Sequence, residues 1–118
     1  LRVWQQNLRK SQAAQEDFLK DLSPDLYDVA AIQEPHLNFV NLAPVPASHW
    51  TTVYPTCHNV NNADRTQSLI LVSKRLSKNN WHIIPLDNPN VTAIEIKGGA
   101  GRTRIYNIYN ACDHSRTL

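Results

Sequence analysis

An apolar run in the first third of the chain, YDVAAIQ at residues 27–33, constrains the fold most strongly. A strand that is apolar on both faces has to be covered on both, which is typical of an inner strand in a layered α/β protein. Residues 1–7, LRVWQQN, alternate as a strand does, with Val3 and Trp4 on opposite faces. These two segments predict a sheet that carries a second layer.

A helix is predicted between these two strands. Ser11 is placed to cap it at its start. Ala14, Phe18 and Leu22 recur at every fourth residue and so form one apolar stripe that is expected to be buried. Pro24 ends the pattern, because the residue before a proline disfavours helical backbone. Strand, helix and strand in such quick succession predict a βαβ unit.

The remainder of the chain has the pattern of strands separated by polar loops. The strand-like segments are WTTVYP at 50–55, SLILVS at 68–73, WHIIPL at 81–86, VTAIEIKG at 91–98 and TRIYNIYN at 103–110. The turn KGGAGR between the last two predicts a hairpin and not a phosphate-binding loop, because no Lys-Ser/Thr pair follows it. We therefore expect the second half to form an antiparallel meander.

The composition is that of one ordinary globular domain. The chain has 118 residues, of which 42% are hydrophobic and 19% charged. No apolar run approaches the roughly 18 residues of a membrane helix and no signal peptide opens the chain, so no membrane partner is expected. Cys57 and Cys112 are the only cysteines, which favours reduced thiols in an intracellular protein. Residues 60–118 carry eight basic and four acidic side chains, a balance that fits a polyanionic partner and equally a solvated surface.

The acid that ends the buried run has the most informative position in the sequence. Glu34 follows the apolar residues and Gln33, and Pro35 then turns the chain, so the carboxylate is expected at the rim of the sheet. Asn7 ends the first strand in the same way. Both residues are also typical of ordinary strand ends, Glu34 as a capping or salt-bridging acid and Asn7 as a turn residue.

The order of these features resembles the endonuclease/exonuclease/phosphatase superfamily, whose fold is like that of deoxyribonuclease I. The segments WQQNLRKS, VAAIQEPHL and RIYNIYNACDHSRTL are most similar to the endonuclease domain of non-LTR retrotransposons. The resemblance implies an α/β fold, a partial DNase I-like sandwich with a mixed, largely antiparallel sheet and helix packing. It also implies that residues 1–118 are the N-terminal part of a single such domain, because the later Asp-x-Asn and Asp-His motifs are missing and Asp113-His114 comes too early to be the last pair.

The resemblance further implies a metal-dependent endonuclease that nicks DNA. It assigns Glu34 and Asn7 to a Mg²⁺ site, with Mn²⁺ as an alternative ion, and it directs the phenol of Tyr109 at the scissile phosphate. A carboxylate with waters in the remaining positions is a ligand set that Mg²⁺ accepts. Polar and basic side chains near such a site contact the nucleic acid or are simply solvated. The candidates for such contacts are Arg9, Lys10, Arg65 and Asn110.

Two tyrosines of the last strand compete for the role at the phosphate. Tyr106 and Tyr109 have opposite parity along the strand and so face different sides of the sheet. We assign Tyr109 to the cleft and expect Tyr106 in the core. The alternative is that Tyr109 packs as a cross-strand aromatic against Tyr106 or Trp81.

The missing motifs lead us to expect a segment that is inactive by itself and leaves one sheet face bare. The expected partners are DNA, in the nucleus, and the remainder of the same polypeptide, namely the C-terminal half of the domain and a reverse transcriptase. Two alternatives stay open. One is a catalytically dead relic or nucleic-acid-binding module of the same fold, and the other is a phosphatase or exonuclease of the superfamily.

Overall fold

Seven strands and one helix make up the described part of the chain. The computed structural model describes residues 1–38, 40, 42–56, 58, 66–99 and 101–110. In chain order the elements are β1 (Val3–Asn7), α1 (Gln12–Asp21), β2 (Val29–Gln33), β3 (Trp50–Val53), β4 (Ser68–Ser73), a short 3-10 turn (Lys78–Asn80), β5 (Trp81–Ile84), β6 (Val91–Gly98) and β7 (Gly101–Ile108).

The first sheet has the strand order β1-β2-β4-β3. β1 and β2 run parallel with Asn7 opposite Gln33, and α1 connects them, so the predicted βαβ unit is confirmed. β4 lies antiparallel to both β2 and β3, which makes this sheet mixed. All five residues of β2 are buried, as the continuous apolar run predicts.

The helix begins and ends close to the predicted residues, but its buried stripe differs. The Ser11 hydroxyl oxygen accepts a hydrogen bond from the Ala14 N–H at 3.1 Å, which caps the first turn. Leu22 is buried in the core beneath the helix and Phe18 packs against it, as expected. Ala14, however, is exposed, and the neighbouring Gln15 is buried with 2% of its surface exposed. None of the helices in the described residues is long and apolar enough to cross a lipid bilayer.

The second sheet is the antiparallel meander β5-β6-β7. The meander predicted for the whole second half is therefore wrong for β4, which pairs inside the first sheet. β4 is buried at all six positions, and a strand apolar on both faces is stable only with neighbours and cover on every side. The hairpin prediction is confirmed: Gly98 lies opposite Gly101, whose φ of 139° suits glycine.

The core between the two sheets is made of aliphatic side chains. The first sheet contributes Val29, Val53, Ile70 and Val72, and the second contributes Ile94 and Ile96. The expectation of a bare sheet face is therefore wrong for the inner faces, because the two sheets cover each other there. The exposed apolar residues include Val3 on β1, at 45% exposure, and Tyr106 and Ile108 on β7, at 47% and 61%. Each of these strands has one hydrogen-bonded neighbour within the described chain, so each forms an open edge.

Candidate functional site

The ends of three strands meet at one rim of the sandwich. Asn7 is the last residue of β1 and lies opposite Gln33, the last residue of β2. Glu34 follows β2 directly, and Tyr109 follows the end of β7. The Tyr109 phenol oxygen lies 3.4 Å from Oε1 of Glu34. The structure therefore brings the three residues predicted for catalysis to the same rim.

The contact between Tyr109 and Glu34 is loose. An ordinary O–H···O hydrogen bond spans about 2.5–3.0 Å, so a separation of 3.4 Å makes the phenol a neighbour of the carboxylate and not a tight partner. Among the described residues the Glu34 carboxylate takes part in none of the ion pairs. The alternative in which Glu34 forms a salt bridge is therefore not found among the described residues.

The backbone of Glu34 has an uncommon conformation. Its φ is 49°, in the left-handed region that L-residues with a side chain rarely adopt. Its N–H donates to the carbonyl of Gln67 at 2.8 Å, and its carbonyl accepts from the Lys10 N–H at 2.8 Å. Pro35 is fully buried directly after it. The backbone of Glu34 is thus fixed on both sides, and strain of this kind clusters at functional sites.

Asn7 makes a turn through its own side chain. Its Oδ1 accepts a hydrogen bond from the Arg9 N–H at 2.9 Å, so the turn-residue interpretation is confirmed. An amide oxygen has two lone pairs, so this bond leaves acceptor capacity for another group. Arg9 and Lys10 continue the turn with φ of 52° and 60° and are exposed.

The other residues predicted to contact nucleic acid can be placed in part. Arg9 and Lys10 lie beside the site, since the Lys10 N–H bonds to the Glu34 carbonyl. Asn110 is exposed next to Tyr109. Arg65 lies outside the described residues. The rim therefore carries the basic turn of Arg9 and Lys10 and the exposed amide of Asn110.

Side-chain amides form a network directly behind this rim, in which Asn107 and Gln33 are buried and Gln5 is exposed. Asn107 is 3% exposed, and its Nδ2 donates to the carbonyls of Ile32 at 2.9 Å and Leu69 at 2.7 Å. Its Oδ1 accepts from Nε2 of Gln33, and Oε1 of Gln33 accepts from Nε2 of Gln5. Each amide belongs to a strand that ends at the site, so the network ties β1, β2 and β7 together.

Two further hydroxyl groups extend the junction between the sheets. Ser68 Oγ donates to the Asn107 carbonyl at 2.8 Å, and Thr92 Oγ1 donates to the Ser68 carbonyl at 3.0 Å. Sequence reasoning missed Asn107 and Gln33 as structural residues. The available signal was an amide at an inward-facing position of an otherwise apolar strand, because such a group is buried only when it has partners.

Tyr106 does not lie in the core, and that prediction is wrong. It is 47% exposed on β7. Tyr106 faces the outer side of its sheet: it lies opposite Ala93, whereas its neighbour Ile105 packs into the core between the sheets. The outer side of β7 has no covering layer among the described residues, which is why the tyrosine on that side is exposed.

The donor set at the rim fits a hard cation. Groups of three or more His, Cys, Asp or Glu side chains that could hold a metal do not occur within the described residues. The oxygens present are the carboxylate of Glu34 and the amide oxygen of Asn7, and Mg²⁺ commonly uses one or two such ligands and fills the remainder with water. Cys57, Cys112 and the Asp113-His114 pair lie outside the described residues.

Comparisons with known proteins bear on the fold. Neither a protein-family model nor a curated protein matches the chain. A solved structure, the endonuclease domain of TRAS1, a telomere-specific non-LTR retrotransposon, is similar over 92% of this chain with a TM-score of 0.63 and 18% sequence identity. The chain covers 44% of that domain. The described residues therefore have the fold of part of a retrotransposon endonuclease domain, a partial DNase I-like α/β sandwich, and the resemblance read from the sequence is confirmed at the level of fold.

Proposed function

We propose that this chain is part of a metal-dependent endonuclease that nicks DNA. The observation that carries the proposal is Glu34, a carboxylate on a strained strand end with the Tyr109 phenol 3.4 Å away. The left-handed backbone conformation of Glu34 lowers the stability of the fold, and hydrogen bonds on both sides hold the residue in it. Backbone strain of this kind is typical of functional residues. The similarity to a retrotransposon endonuclease domain supports the choice of nucleic acid as substrate.

The residues at the rim supply the groups that phosphodiester hydrolysis needs. Glu34 and the amide oxygen of Asn7 would hold Mg²⁺ or Mn²⁺, whose chemical contribution when bound is to neutralise charge on the phosphate. The Tyr109 phenol donates a hydrogen bond to a phosphate oxygen, where negative charge grows during the reaction. Arg9 and Lys10 hold the backbone of the DNA in position.

The remaining groups come, in this proposal, from the rest of the same polypeptide. The sequence contains no Asp-x-Asn motif to position a nucleophile, and a general base is also needed. The chain covers 44% of the similar endonuclease domain, which leaves room for a second half. The open edges of β1 and β7 border a common gap, lined by Gln5, Ala31 and Ile105, that such a half would fill.

The proposal is tested by removing the carboxylate of Glu34 in the full-length protein. Glu34→Gln is expected to abolish Mg²⁺-dependent nicking of a supercoiled plasmid while DNA binding persists. Glu16→Gln, an exposed acid of α1, is the matched control and is expected to nick as the wild type does. Equal nicking by Glu34→Gln and Glu16→Gln would exclude the metal-binding role.

A nucleic-acid-binding module without catalysis is the second candidate. Groups of three or more His, Cys, Asp or Glu side chains that could hold a metal do not occur in the part of the chain that the structure describes, which favours it. The two candidates differ in the wild-type protein: the endonuclease converts supercoiled plasmid to nicked circles in Mg²⁺, whereas the module retards the plasmid in a gel and leaves it supercoiled.

A further inference from the structure

Gln15 is a buried polar side chain whose hydrogen bonds go to a single residue. It lies in α1 and is 2% exposed. Its Oε1 accepts from the His36 N–H at 2.8 Å, and its Nε2 donates to the His36 carbonyl at 3.1 Å. The amide of Gln15 thus satisfies both backbone groups of His36, as a neighbouring strand would.

The location of His36 gives this contact its significance. His36 comes two residues after Glu34, and the intervening Pro35 has no N–H to donate. The backbone after the candidate metal ligand therefore has its next donor at His36. Without Gln15, both backbone groups of His36 would need other partners, and the left-handed conformation at Glu34 would lose its support on that side.

The connection between β1 and α1 supports the same segment from its other end. The Leu8 N–H donates to the Gln33 carbonyl at 3.0 Å, and the Lys10 N–H donates to the Glu34 carbonyl at 2.8 Å. Together with the Gln15 contact, the carbonyls of residues 33, 34 and 36 are all bonded to one stretch of chain, residues 8–15. Residues 8–15 therefore hold the backbone carbonyls on both sides of Glu34, while the Gln67 carbonyl holds its N–H.

We infer that Gln15 is a positioning residue, which acts by holding the Glu34 carboxylate in the direction of the metal ion; this inference rests on the proposed function. The groups that orient a metal ligand are worth about 10–100-fold in metal affinity when they are removed. A purely structural Gln15 would instead contribute to the stability of the fold and leave the affinity of the folded protein for the ion unchanged.

The test measures metal binding without DNA and without turnover. In the full-length protein, Mn²⁺ is titrated and free Mn²⁺ is followed by electron paramagnetic resonance, and only the binding that Glu34→Gln removes is counted. Gln15→Met is compared with Gln12→Met, since Gln12 is an exposed glutamine of the same helix. Leu22→Ala serves as a control for lost stability, because it opens a cavity in the core beneath the same helix.

Weakening of this site about 10–100-fold in Gln15→Met, with Gln12→Met and Leu22→Ala unchanged, is the expected result. Deuterium exchange at the His36 amide is expected to accelerate in Gln15→Met alone. The inference is overturned if Gln15→Met binds Mn²⁺ within about twofold of Gln12→Met. If Gln15→Met does not fold, Gln15→Ala against Gln12→Ala decides by the same criterion.

The result for Glu34→Gln separates this inference from the proposed function. If that variant removes no Mn²⁺ binding, the metal role of Glu34 is overturned, and the role of Gln15 is overturned with it. If it removes the binding while Gln15→Met and Gln12→Met agree, only the positioning role is overturned.

Discussion

The phenol oxygen of Tyr109 lies 3.4 Å from a carboxylate oxygen of Glu34, although the two residues are 75 positions apart in the chain. Glu34 follows a strand of the first sheet and Tyr109 follows a strand of the second. Their separation is therefore determined by how the two sheets pack and not by any local turn. The candidate site depends on the whole sandwich, and its sensitivity to distant substitutions follows from this.

Tyr109→Phe is expected to lower the turnover of plasmid nicking by the full-length protein while the apparent KM for DNA changes little. Removal of one hydrogen-bond donor to a developing oxyanion typically reduces the rate by about 10²–10³-fold. Tyr106→Phe, at the exposed tyrosine of β7 three residues earlier, is the matched control and should nick normally. Normal turnover in Tyr109→Phe would show that the ring serves packing alone.

Asn107→Leu is expected to destabilise the fold by about 1–3 kcal/mol, because it leaves Nε2 of the buried Gln33 without its acceptor and removes a second donor from the buried carbonyls of Ile32 and Leu69. Urea unfolding of wild type and variant measures the difference. Asn79→Leu, at an exposed position, provides the control and should change the unfolding free energy by less than about 0.5 kcal/mol. Equal stability of the two variants would exclude a structural role for the amide network.

The left-handed backbone at Glu34 predicts a difference between two substitutions that both remove its carboxylate. Glu34→Gly should unfold at higher urea than Glu34→Ala, because alanine at a φ of 49° keeps a steric cost of about 1–2 kcal/mol that glycine avoids. The entropy of glycine in the unfolded chain offsets part of this gain. A more stable Glu34→Ala would mean that the segment relaxes to an ordinary backbone conformation.

The ion pairs of Glu95 on β6 lead us to expect that the stability of the fold depends on pH. The hydrogen bond from Nε of Arg104 at 2.9 Å holds the pKa of the Glu95 carboxyl below its ordinary value, and the charges of Arg104, Arg102 and His82 lower it further. A pKa that is lower in the folded state means that the ionised carboxylate stabilises the fold. This contribution is complete above the unfolded-state pKa and is lost as the pH falls through the folded-state value.

The pH dependence is measured by comparing wild type with Glu95→Gln. The wild type should be the more stable at pH 7, and the difference in unfolding midpoint should shrink as the pH falls below about 4.3, the ordinary value for a glutamate. Glu16→Gln, at an exposed position, should show no such trend. A difference between Glu95→Gln and wild type that stays constant down to pH 3 would contradict the assignment of the lowered pKa.

Local patterns in the sequence predicted the strand–helix–strand start and the rim position of Glu34. The buried run before Glu34 and the proline after it are neighbours in the chain, so their meaning does not depend on tertiary structure. The pairing of β4 was not predictable in the same way, because its partner strands, β2 and β3, are chosen by the arrangement of the whole sheet. Its apolar run fits an inner strand of either sheet equally well.

The hydrogen-bond partners of two buried amides, Gln15 and Asn107, were not predictable from the sequence either. Glutamine is typical of an exposed position on a helix. The burial of Gln15 is favourable only because its amide bonds to the backbone N–H and carbonyl of His36. The inward-facing position of Asn107 indicates that its amide needs partners, but those partners, the carbonyls of Ile32 and Leu69, belong to the other sheet and are not identified by the local sequence. Partners distant in sequence create both roles, so the periodicity of a helix or strand does not identify those partners.

The positive φ of Glu34 has a consequence for the descent of mobile elements that share this fold. A copy released from selection for strand cleavage would gain stability by exchanging this glutamate for glycine, which suits the same backbone. Glycine or asparagine at this position would therefore mark decayed copies, and glutamate would mark those whose lineage still cuts. The present chain has glutamate at this position.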